Sequence, residues 1–192
     1  MAVAFEIVDI DQHTVGLKEA HATIARMSHA LDDMHGVLAS IVEDVHRQTL
    51  AQFVSEGAAL GDPWAALDPS TVAAKTTAGY GLPDWPLVAT GQMMDSATSD
   101  SGPYSVGDVA EHEAWLSLDW ERDGWNIPAL HQTGVPWEIV HRRAYTTRTG
   151  EHVSGTSYWW HLPARPFWEA TDRLADEGAE KIARWVMFNP LA

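Results

Sequence analysis

Leu17 to Phe53 reads LKEAHATIARMSHALDDMHGVLASIVEDVHRQTLAQF, and the placement of its apolar residues decides the outline of the fold. From Ile24, the residues Met27, Leu31, Met34, Leu38, Ile41 and Val45 follow at alternating steps of three and four. That spacing is an a/d stripe with a period near 3.5, the mark of an amphipathic helix. Phe53 extends the face and Gly57 supplies a stop. The spacing predicts one helix over residues 16–56. Such a helix is on the order of 60 Å long at 1.5 Å per residue, too long for one small sheet to cover. Part of the stripe should therefore meet another subunit. The competing arrangement is a bend or break near Gly36 with both halves packed internally. His21, His29, His35 and His46 lack the i, i+4 repeat with a third ligand that a metal site needs, so they read as polar-face residues.

On either side of this helix the signals are local. Ala4 to Ile10 reads as a short strand. Residues 57–86 form a Gly/Pro/Asp-rich connection. Within it Asp68-Pro-Ser-Thr71 can start a short helix, and Trp64 and Leu67 can anchor the loop on the body. Residues 87–134 form a sheet region. Tyr104 to Gly107 and Ala114 to Trp120 read as strands, the second with Trp115, Ser117 and Asp119 on one face and Leu116, Leu118 and Trp120 on the other. Arg122-Asp-Gly124 is a turn or hairpin tip, and Pro128 to His131 a helical turn closed by Gly134. Residues 135–161 read as an extended excursion, and 163–189 as an amphipathic C-terminal helix. The expectation is one α+β domain over 1–192. In it, a long N-terminal helix and a C-terminal helix pack on a small, mainly antiparallel sheet, with a hairpin excursion.

Composition narrows the function. The chain has 192 residues, 45% hydrophobic and 20% charged, which fits an ordinary globular core. It has no cysteine, so disulfide and thiolate chemistry are excluded. No apolar run reaches the ~18–20 residues of a membrane span. Glu6, Asp9 and Asp11 near the start do not read as a secretory signal, and no membrane association is expected. The 10 tryptophans are unusual, and tryptophan is enriched where proteins meet. The net charge of −15 is uneven: residues 1–134 hold 20 acidic and 5 basic side chains, residues 135–192 hold 7 of each. So acidic a chain is poorly built to grip nucleic acid, which needs Lys and Arg on phosphates.

The search for chemistry is mostly negative. No nucleophile elbow, phosphate loop, dinucleotide fingerprint or H-E-x-x-H helix occurs. Glu111-His-Glu113 carries possible metal ligands, but on a strand the acids face one way and His112 the other. His131-Gln132 could be a base with an amide partner, yet no nucleophile or orienting acid stands at a recognisable spacing. Arg165 lies between Pro163 and Pro166 in extended backbone, where its planar fork could take a carboxylate from the same chain or the next. No catalytic, cofactor or metal residues are expected.

Two signatures remain: Ile127-Pro-Ala-Leu-His-Gln-Thr-Gly134 and Leu162-Pro-Ala-Arg-Pro-Phe167. With them stand, in order, Phe53 and Glu56-Gly57; Gly61 and Trp64, then Thr71 and Lys75; Leu87, Thr90-Gly91 and Ser96; and Val106-Gly107. Taken together, this series resembles the phage virion morphogenesis family, the Mu gpG-like tail completion proteins, over most of the chain. Met93 in place of a leucine, Pro-Ala-Leu before His131, and a longer, Trp-rich 108–126 segment depart from the pattern.

The resemblance implies a non-enzymatic protein of the virion neck, assembled in the host cytoplasm. It would form a homo-oligomeric ring, by analogy a hexamer, between a head connector or stopper ring and the tail terminator or tail tube. DNA would pass through without specific binding. A tail terminator ring is the neighbouring alternative, and a hydrolase using His131 the alternative of another class. Trp64, His131, Gln132, Arg142, Arg143, Trp159, Trp160, Arg165 and Phe167 are the expected subunit or partner contacts.

Overall fold

The computed structural model describes residues 10–142, 145–146 and 152–188, with backbone alone for 10–16, 137–142, 145, 153 and 156–160. The fold is α+β: helices together with small antiparallel ladders of two strands each. The chain divides into two compact units. One comprises residues 1–43, 108–115 and 171–192, the other 44–107 and 116–170.

In the first unit the expected single helix is two. Helix α1 spans Ile10–Asp32 and α2 spans His35–Val54, the latter contributing residues to both units. Ile10 thus opens a helix instead of ending a strand, and residues 4–9 lie outside the described ones. The break has a specific cause. In an unbroken helix Met34 N–H would donate to Ala30 O. Here it donates to Glu111 O at 2.8 Å. The Trp185 indole N–H takes over the stranded carbonyls of Ala30 and Asp33, at 3.1 and 3.2 Å. Asp33 Oδ1 then accepts from His35 N at 3.0 Å, starting α2. Trp185 lies so close to Gly36 that a Cβ there would stand 2.9 Å from the ring. Trp185 belongs to α6, Asp172–Phe188, which packs along α1.

The second unit holds the core. After a 3-10 turn at Ala58–Leu60 comes α3, Pro69–Thr77. Asp68 caps α3 by accepting from Ser70 N, and Pro69 fits the first turn, where no N–H is needed. Helix α4, Gln92–Thr98, starts at Gly91, whose φ of 83° suits glycine. Strands β1, Ser105–Val109, and β2, Ala114–Leu118, form a ladder that contributes to both units. Leu116, Leu118 and Trp120 turn inward, while Trp115, Ser117 and Asp119 face solvent, as the alternation requires.

Strands β3, Glu121–Arg122, and β4, Trp125–Asn126, pair across a two-residue loop. Asp123 and Gly124 have φ of 53° and 82°, the mirror-image turn that matches strand twist. Helix α5, Ile127–Thr133, ends at Gly134. The excursion is a hairpin: β5, Val135–Arg142, pairs antiparallel with β8, Thr156–Leu162, and β6, Tyr145–Thr146, with β7, His152–Val153. The β5–β8 register shifts by one between Val135 and Glu138, where Pro136 cannot donate to the ladder.

Phe53, Trp64, Val88, Met93, Ala97, Leu118 and Phe167 make the core. Phe53 meets Trp64 edge-on at 5.5 Å and Phe167 at 5.6 Å between centroids. The segment 163–171, expected to begin the last helix, is extended and irregular. Its backbone is held by side chains from elsewhere, so it has no helical ladder to propagate. The helix begins only at Asp172.

Candidate functional site

The two signatures come together. Gly134, with φ 70° and ψ 176°, turns the chain so tightly that a Cβ would lie 2.6 Å from Ala164 N. Just before the turn, His131 O accepts from Arg165 N at 2.7 Å. Gln132 uses both ends of its amide on the 163–168 segment. Its Oε1 accepts from Phe167 N and Trp168 N at 3.1 and 3.3 Å, and its Nε2 donates to Trp168 O. On the other side of this segment, Pro166 O accepts from Trp64 Nε1 at 3.0 Å and Gln52 Nε2 at 3.2 Å. Gln52 also accepts from Leu60 N at 3.2 Å.

Most of the motif residues are therefore parts of one clasp. Glu56 and Gly57 take left-handed backbone after α2, and Glu56 O accepts from Trp64 N at 2.7 Å. A Cβ on Gly57 would stand 2.6 Å from the Trp64 ring. Lys75 Nζ donates to Trp85 O and Val88 O, at 2.6 and 2.7 Å. This grip straddles Leu87, which has an unfavourable φ of 60°. Burial pushes the Lys75 pKa down, and the nearby Asp84 charge opposes that shift. Ser96 Oγ accepts from Tyr104 N at 3.0 Å and ties α4 to the start of β1.

Several expected partner contacts turn inward. Trp64, Arg165 and Phe167 are 7%, 4% and 2% exposed, so Trp64 and Phe167 offer no surface, and Arg165 is reached only from its cleft. Gln132 has both amide atoms engaged. The reason is energetic: buried aromatic rings supply the core's apolar area, and buried amides must be paired. Arg142, Trp159 and Trp160 sit on the paired strands β5 and β8, their side chains outside the described set, and Arg143 lies outside the described residues altogether. Sequence reasoning missed Gln52, which is 1% exposed and polar. The signal was its place beside Phe53 on the buried face.

His131 and Arg165 share a cleft of about 660 Å³ with Leu67, Asp68, Ser70 and Thr71. A second hollow of about 230 Å³ adjoins it, sharing Leu67, Thr71, Leu87 and His131. Burial first, and then the Arg165 charge, hold the His131 pKa down to about 4, so the imidazole is neutral at pH 7. Its Nδ1 is buried with no hydrogen-bond partner. Arg165 Nε and Nη2 both donate to Ala65 O, at 3.3 and 3.0 Å. Among the described residues, no group of three or more His, Asp or Glu is placed to hold a metal ion, and no helix is long and apolar enough to cross a membrane.

No protein-family model, no curated protein and no solved structure matches this chain.

Proposed function

We propose that the chain is a structural, non-enzymatic virion protein of a tailed phage or prophage-derived particle. It forms a homo-oligomeric ring, by analogy a hexamer, at the head–tail junction, completing the tail and joining it to the head connector. The observation that carries this reading is a row of large aliphatic side chains on α1. Leu17, Ile24 and Leu31 are 69%, 66% and 51% exposed. They recur every seven residues, so they share one helical face. A continuous apolar row in water is unfavourable and marks a contact surface. In a ring, the row of one copy packs on a different surface of the next copy, head to tail.

The ordered motif series supports the same reading, since Phe53, Gly57, Trp64, Gln132, Gly134, Arg165 and Phe167 all serve one clasp. A shared motif set that works together has a structural reason to recur as a set. The acid excess of residues 1–134 fits a passage that repels DNA and lets it slide; a map of the ring with a basic or neutral lumen would remove this part.

Mass spectrometry of purified particles from the genome carrying this chain tests the proposal. The chain should be present at a constant copy number, and its absence would end the proposal. Imaging of the intact particle then distinguishes a completion ring from a terminator ring at the tail tube.

A further inference from the structure

The Arg165 guanidinium is buried, yet it is bonded only to one carbonyl, Ala65 O, through Nε and Nη2. No carboxylate among the described residues forms an ion pair with the guanidinium. Burial pushes its pKa down. Arginine does not escape by losing its proton. A buried cation without a counter-charge is among the costliest arrangements a fold can hold. Beside it His131 Nδ1 is buried and unpartnered. A buried guanidinium and an unpartnered imidazole nitrogen therefore line one open cleft of about 660 Å³.

We propose that this cleft is a receptor for a single carboxylate group, held by the Arg165 guanidinium. The charge balance disfavours a dianion. Arg165 contributes one positive charge, and His131 is neutral. Asp68, on the same cleft, adds a negative charge and accepts from Ser70 N and Oγ at 2.8 and 2.5 Å. A phosphate dianion would bring more negative charge than one guanidinium offsets, whereas a planar carboxylate matches the fork. The hydroxyl-bearing Ser70 and Thr71 and the His131 ring line the same space. The carboxylate has two possible sources: an acidic side chain of a second copy, abundant in a chain of net charge −15, or a free small carboxylate.

The test is an NMR titration of the full chain with sodium acetate, at constant ionic strength against sodium chloride. Saturable shifts at the His131 ring and Arg165 Nε in the millimolar range are expected, with inorganic phosphate weaker. Arg165→Met should weaken acetate binding by about tenfold or more. Asp68→Asn keeps a competent helix cap and removes a competing charge, so it should tighten binding severalfold with the fold intact. A linear response matching chloride, or no change in affinity in Asp68→Asn, would overturn the proposal.

Sedimentation then assigns the source. Acetate that dissociates oligomers identifies a second copy's side chain, and oligomers indifferent to acetate identify a free ligand. Absence of acetate binding would leave the ring reading standing, because that rests on α1.

Discussion

In the second unit the clasp residues find their partners within the chain. Phe167 is packed against Phe53 and Trp168, Trp64 and Gln52 share the Pro166 carbonyl, and Gln132 is bonded at both ends. In the first unit Trp185 seals the gap between two helices, while Leu17, Ile24 and Leu31 stand in water. The difference separates two jobs. The residues that carry the motif resemblance hold the fold, and the open row on α1 is where the proposed contact with a second copy falls.

That division can be broken at either end. Phe167→Ala should cost about 3–5 kcal/mol in denaturant unfolding, the range for emptying a packed aromatic site; a loss below 1 kcal/mol would mean the clasp is not where stability resides. Gln132→Ala strands the backbone groups of Phe167 and Trp168 and should cost about 1–3 kcal/mol. Restoration by Gln132→Glu is not expected, because a carboxylate cannot donate to Trp168 O.

A smaller effect concerns acid. The folded His131 has a pKa of about 4 against an ordinary 6.5. Between these values the unfolded chain binds the proton and the folded chain does not. This contribution is fully present above pH 6.5 and is lost as pH falls through 4. His131→Gln should flatten that part of the stability profile, and an unchanged slope would contradict the burial argument. Smallest of all is the expected effect of Ile24→Glu on folding, within about 0.5 kcal/mol because the site is already in water. The same change should abolish self-association or incorporation into particles.

The sequence was legible where structure is local. Asp123-Gly124 demanded a mirror-image turn, Asp68-Pro69 announced the start of α3, and Gly134 marked the end of α5. The paired excursion at 135–161 followed from its extended composition. What stayed hidden depends on distant partners. The break after Asp32 requires Trp185, which donates to a carbonyl 155 residues away in sequence. The periodicity from Ile24 to Val45 runs through it without interruption. The extended 163–171 segment is likewise imposed by Gln132, which binds residues 35 and 36 positions downstream. The expected partner contacts at Trp64 and Phe167 were misplaced for a related reason. Large aromatics and arginine mark interfaces and cores alike, and only burial separates the two. The Arg165–His131 cleft was visible as residues and not as a place.

Because the chain has no cysteine, Ile24→Cys introduces a single thiol on the α1 row. Its rate of maleimide labelling, compared between the isolated chain and purified particles, tests the central claim most directly. The account predicts fast labelling of the isolated chain and strong protection in particles. Equal labelling in both would show that the row on α1 is not where the copies meet.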